Sequence, residues 1–90
     1  MNSNQAKTLA IQALTFITAE PKYLNEFIAI TGLDPRIIPD NINNDEFLES
    51  ILDYLLSNES LLISYCEAEN INPKAPSIAK SALSDLSSTS

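Results

Sequence analysis

Gly32 is the only glycine among the ninety residues, and that scarcity limits the fold more than any other feature of the chain. Sheets joined by tight hairpins need Gly, or Asn-Gly and Asp-Gly pairs, to reach positive φ. Neither pair occurs here. The chain is long enough for one core and too short for two. With 44% hydrophobic residues, it has the side chains to fill that core. The composition therefore predicts a single all-α domain over residues 1–86, a compact bundle of about five to six short helices, followed by a disordered Ser-rich tail at 87–90.

Apolar spacing places those helices. Ala6, Leu9, Ala10, Ala13, Phe16 and Ile17 recur at three- and four-residue steps, which predicts a helix from about Asn4 to Ala19, with Asn2 and Gln5 at capping-box spacing before it. Pro21 suits the first turn of a second helix whose inward residues are Tyr23, Leu24, Phe27, Ile28 and Ile30. Gly32 supplies the left-handed residue that ends it, and Leu33 folds back over the last turn. Asp34-Pro35 starts a short turn of helix through Ile37 and Ile38, which Pro39 is expected to stop, and Ile42 is a lone anchor in the polar stretch that follows. Asn43 and Glu46 have the spacing of a second capping box, before a helix from about Asp45 to Leu56. A further helix spans about Glu59 to Glu69, closed by a left-handed Asn70 with Ile71 folded back. The last helix is expected to start near Pro76 and to bury Ile78, Ala79, Ala82, Leu83 and Leu86.

Residues 14–35 align without a gap on residues 52–73, at an offset of 38. Leu14 falls on Leu52, Phe16 on Tyr54, Ile17 on Leu55, Leu24 on Leu62 and Phe27 on Tyr65. Gly32-Leu33-Asp34-Pro35 falls on Asn70-Ile71-Asn72-Pro73. The order of that ending is set by capping geometry rather than by amphipathicity, so it predicts two repeated helical hairpins packed on each other.

Several of these segments also resemble a family. Leu14-Thr15-Phe16-Ile17, the run Phe27 to Pro35, the run Ile51 to Leu62 and the ending Ile71-Asn72-Pro73 are similar to domain of unknown function 3572, a family of small helical proteins common in alphaproteobacteria. The resemblance extends to about residue 83. It implies a helical fold and a bacterial cytoplasmic setting, and it carries over no activity, cofactor or catalytic residue.

Net charge is −7, and no basic residue occurs between Ile37 and Pro73, where Asp40, Asp45, Glu46, Glu49, Asp53, Glu59, Glu67 and Glu69 lie. Such a surface repels nucleic acid and anionic lipid and attracts basic partners, although a solvated face is the plainer use of it. No apolar run is long enough to span a bilayer. The stretch after Lys7 is too polar, at Gln12, Thr15 and Thr18, for a signal peptide, which again predicts a cytoplasmic protein.

Catalytic chemistry has little to work with. Histidine is absent, which removes the commonest general base and metal ligand. Cys66 cannot form an internal disulfide, sits beside Glu67 and Glu69, and reads as a core residue. Glu46, Glu49 and Asp53 share a helix face and are the only carboxylate set to suggest a hard-cation site. Asp40 to Asp45 resembles a calcium loop but has Ile42 at a ligand position and Asp45 in place of the turn glycine. A DNA-binding reading of Phe27 to Ile38 fails at Pro39 and offers only Arg36.

The second hairpin is more apolar than the first at Leu56, Leu61 and Ile63, where the first has Thr18, Tyr23 and Asn25. The favoured use is to receive the last helix; the alternative is an exposed patch for a second copy or another protein. The sequence thus predicts a non-enzymatic protein-binding or adaptor module without cofactor. Its candidate partner surface comprises Glu46, Glu49, Asp53, Leu56, Ile63 and Glu67, and it would dock a basic or amphipathic protein or form a homodimer. The alternatives are a carboxylate-only metal factor or small enzyme, using Glu46, Glu49, Asp53 and Tyr54, and an acidic mimic of nucleic acid.

Overall fold

The chain enters its first helix through a reciprocal cap, as the Asn2 side chain accepts from the Gln5 N–H at 2.8 Å and the Gln5 side chain accepts from the Asn2 N–H at 3.0 Å. The computed structural model describes residues 1–88, with side chains to Ser84. Among the described residues all regular structure is helical: α1 Ser3–Ala19, α2 Pro21–Thr31, a 3₁₀ turn Pro35–Ile37, α3 Ile38–Asn41, α4 Asp45–Ser57, α5 Glu59–Glu69 and α6 Ala75–Ser88. Of the tail expected at 87–90, Ser87 and Ser88 form the end of α6 and 89–90 lie outside the described residues, as does the side chain of Leu86.

Most junctions follow from local chemistry, with three exceptions. Pro39 does not stop the short helix but occupies the first turn of α3, where its missing N–H costs no hydrogen bond. The cap of α4 is Asn44, not Asn43, because the extended backbone of Asn44 brings its Oδ1 to the Phe47 N–H at 3.2 Å. α6 begins at Ala75, one residue early, with Pro76 fully buried in its first turn.

At an offset of 38 residues the helix boundaries coincide: α2 corresponds to α5, and the ends of α1 and α4 correspond. One extended residue links each pair of helices, Glu20 at φ −112 and Asn58 at φ −114. Gly32 at φ 71 and Asn70 at φ 55 are the only positive-φ residues among those described. Asp34 accepts from the Arg36 N–H, and Asn72 accepts from the Lys74 N–H, each at 2.9 Å.

Packing between the halves is reciprocal as well. Phe16 of α1 meets Tyr65 of α5 edge-on, with ring centroids 5.6 Å apart. Phe27 of α2 meets Tyr54 of α4 at 5.4 Å. At the offset of 38 residues these four form two corresponding pairs, each joining one residue of α1–α2 to one of α4–α5.

The core lies where α1, α4 and α6 meet. α6 packs on both α1 and α4, which also pack on each other, while α2 lies against α1 and α5 against α4. Ala6, Ala10 and Ala13 of α1 and Ala79 of α6 are fully buried, and such small residues let helix backbones approach closely. Among the described residues, no polar or charged residue is buried.

Two isoleucines expected inside are outside. Ile78 is half exposed because Pro76, Ala79 and Leu83 form the inward face of α6 and Ile78 falls to its side. Ile30 is 65% exposed, since a groove rather than a packed neighbour lies between it and α4.

Gly32 allows a direct test of the helix ends. A Cβ built there meets nothing within 4 Å, so any cost of substitution comes from the backbone alone. Gly32→Val is expected to lose about 1–3 kcal/mol, because a β-branched residue resists positive φ. Gly32→Asn should come close to wild type in the same chemical melts, as Asn70 holds that conformation already. Equal stability of the Val and Asn variants would contradict the assignment. Thr31→Val is no neutral control, since the Thr31 hydroxyl donates to the Phe27 carbonyl at 2.8 Å and accepts from the Leu33 N–H.

Candidate partner surface

α4 presents Glu46, Glu49 and Asp53 on one face, as their spacing requires, but the face is not purely acidic. Lys80 of α6 forms an ion pair with Asp53. Its ammonium pKa is raised by that hydrogen bond and by the charge of Asp53, with a smaller contribution from Glu49. Lys7 of α1 lies 3.5 Å from Asp45. That contact is charge attraction rather than an aligned hydrogen bond, because the buried Asp45 oxygen has no hydrogen-bond partner. Both lysines come from outside the base-free stretch of sequence, and only the packing of α1 and α6 on α4 brings them there. Partly exposed pairs of this kind add little net stability.

The six candidate residues fall on two helices, α4 and α5. Glu46 is exposed in the first turn of α4, Glu49 is half-buried, and Asp53 is exposed and paired with Lys80. Leu56 is half-buried near the end of the same helix. Ile63 and Glu67 lie on α5, where they line a groove of about 290 Å³ with Cys66, Asn70, Ile71 and Pro73. The expectation that Ile63 receives the last helix is incorrect. α6 settles on α1 and α4, which leaves Ile63 45% exposed. Leu61, by contrast, is fully buried.

A larger feature runs along α4. Two hollows of about 330 and 300 Å³ adjoin there, sharing Thr31 and Ser50. Leu33, Ile37, Asn41 and Asn44 line the first with Glu46 and Phe47. Ile30, Asp53, Tyr54 and Ser57 line the second. The Asn41 side chain donates to the Ile37 carbonyl at 2.8 Å and so fixes the wall that carries Ile37. Sequence gave only an indirect sign of this groove, an isoleucine at position 37 beside one at 38 on a turn too short to bury both.

The Tyr54 and Tyr65 hydroxyls and the Cys66 thiol are held by hydrogen bonds or burial. The Tyr54 hydroxyl is directed at the Tyr23 carbonyl at 3.2 Å and the Glu26 carboxylate at 3.1 Å, and Asn58 donates to the same carboxylate oxygen at 3.0 Å. Burial, and then the hydrogen bond and charge of Glu26, push the Tyr54 pKa up to about 12. Burial likewise raises the Cys66 thiol. Tyr65 is buried, with its hydroxyl 3.3 Å from the Leu9 carbonyl and 3.2 Å from Gln12 Oε1.

Among the described residues, no three His, Cys, Asp or Glu side chains are grouped to hold a metal ion. No helix among them is long and apolar enough to cross a membrane. No curated protein and no solved structure matches the chain. The family described as "Protein of unknown function (DUF3572)" matches residues 3–86, nearly the whole chain, and the protein belongs to it.

Proposed function

We propose that the protein is a non-catalytic, cytoplasmic binding module, a helical platform built as a repeat of two hairpins that docks a basic or amphipathic protein. The observation that carries this reading is the pairing of exposed isoleucines with acidic residues along α4. Ile30 and Ile37 sit at the rim of a groove edged by Glu46 and Asp53, in a domain small enough to need its large apolar residues inside. Three features support a non-enzymatic role: the absence of histidine, the burial of Cys66, and the tethering of the Tyr54 hydroxyl. The metal-factor alternative is weakened because Lys80 already engages Asp53, one of the three carboxylates it needs. Lys7 and Lys80 likewise interrupt the continuous negative charge that a nucleic-acid mimic would present.

Affinity capture with the whole chain from its native cells tests the adaptor role. The expected result is a recovered protein that rebinds in purified form and is released by salt, as an electrostatically steered contact should be. Recovery of nothing beyond background would count against the module.

A further inference from the structure

The correspondence at 38 residues gives the groove an internal control. Glu46, Phe47 and Ser50 correspond to Thr8, Leu9 and Gln12, which line a hollow of their own on α1. Positions with a structural duty keep their character between the halves: Phe47 matches Leu9, Tyr54 matches Phe16, and Leu33 matches Ile71. The rim of the α4 groove does not. Ile30, Ile37, Glu46 and Asp53 stand where the other half has Ala68, Ala75, Thr8 and Thr15. Ala68 fills the place of Ile30 in the matching helix α5, so the helix itself does not account for the exposed Ile30. Ile37 is exposed on the same rim and Glu46 makes no ion pair among the described residues, while Asp53 also serves the fold through Lys80. α5 departs in the same sense at Ile63 and Glu67, but with a single isoleucine and a single acid.

We infer that the α4 groove is the docking site for an amphipathic helix of another protein, one that carries lysine or arginine beside its apolar stripe. This rests on the binding-module reading and narrows it to one surface and one kind of partner. From Glu46 to Ser57 the groove follows α4 for about 17 Å, three turns of an α-helix. That length suits anchors spaced i, i+3 or i+4, and i+7. Ile30 and Ile37 meet the anchors, and Glu46, which makes no ion pair among the described residues, meets the cation. No basic residue lines the groove. A second copy is the poorer occupant, since each chain carries a net charge of −7 and like charges oppose association.

The test titrates the whole chain with a synthetic lysine–leucine peptide of about 18 residues whose leucines follow helical anchor spacing, read by amide NMR. A scrambled peptide of the same composition serves as the comparison. The expected shifts cluster at Thr31, Ile37, Glu46 and Ser50, with the scrambled peptide much weaker. Affinity should fall about tenfold in Glu46→Lys and in the Ile30→Ser/Ile37→Ser double variant, and stay unchanged in Ile63→Ser. All four positions are exposed, and melts confirm that the variants fold. Equal binding of the scrambled peptide would reduce the effect to charge and overturn the inference. Shifts centred on Ile63 and Glu67 would move the site to α5 while leaving the adaptor reading intact. No binding at all would sink the groove, with capture still deciding the wider reading. Sedimentation showing a dimer that is lost in the Ile30/Ile37 double variant would assign the groove to a second copy and overturn the choice of partner.

Discussion

Replacing Tyr65 by Ala is expected to cost about 3–5 kcal/mol, a large share of the roughly 5–13 kcal/mol that holds a domain of this size. The ring is wholly excluded from solvent and meets Phe16 of the opposite hairpin edge-on. Its loss leaves a cavity between the halves, where rigid helices close only in part. The melting temperature should fall on the order of 20 °C. Tyr65→Phe keeps the ring and removes only the hydroxyl near the Leu9 carbonyl and Gln12, so it should cost about 0.5–1.5 kcal/mol. Calorimetry of the two variants separates packing from hydrogen bonding. If both lose the same amount, the ring is not the joint between the hairpins.

An effect of similar size is expected at Ala79. This residue is fully buried on α6, the helix packed against both α1 and α4. Ala79→Asp puts a carboxylate into a core that buries no polar or charged residue among those described. An uncompensated buried charge costs about 3–5 kcal/mol. The sign with pH follows from burial, which raises the folded pKa of the new carboxyl above its unfolded value. The folded variant then holds its proton more tightly than the unfolded chain, and its deficit should shrink as pH falls toward the unfolded carboxyl pKa. Ser81→Asp, on the exposed side of the same helix, should melt like wild type at every pH. A wild-type melt for Ala79→Asp would mean that α6 is not seated as described.

The sequence disclosed the features that depend on near neighbours. Gly32, Asn70, the Asn2–Gln5 cap and the opening of α2 at Pro21 are each decided within a few residues, by orphan carbonyls and N–H groups that must find partners. Ile78 and Ile63 resisted the same reading because their exposure depends on where α6 lands, and a helical stripe does not name the surface it will meet. The acidic face failed for a related reason, since Lys7 and Lys80 reach it from helices remote in sequence. The groove left only an indirect sign because its walls come from α2, the 3₁₀ turn, α3 and α4, and no periodicity in one segment reports a gap between several.

The placement of α6 also has a consequence for synthesis. It lies across α1 and α4, so both hairpins leave the ribosome before the helix that closes their shared seam has been made. Until residues up to about Leu83 have emerged, α1 and α4 lack that cover, and the nascent chain exposes part of its apolar core. Folding of the domain is therefore coupled to the emergence of α6, and a chain stalled after Asn72 would be a substrate for chaperones or proteases rather than a smaller working version of the domain.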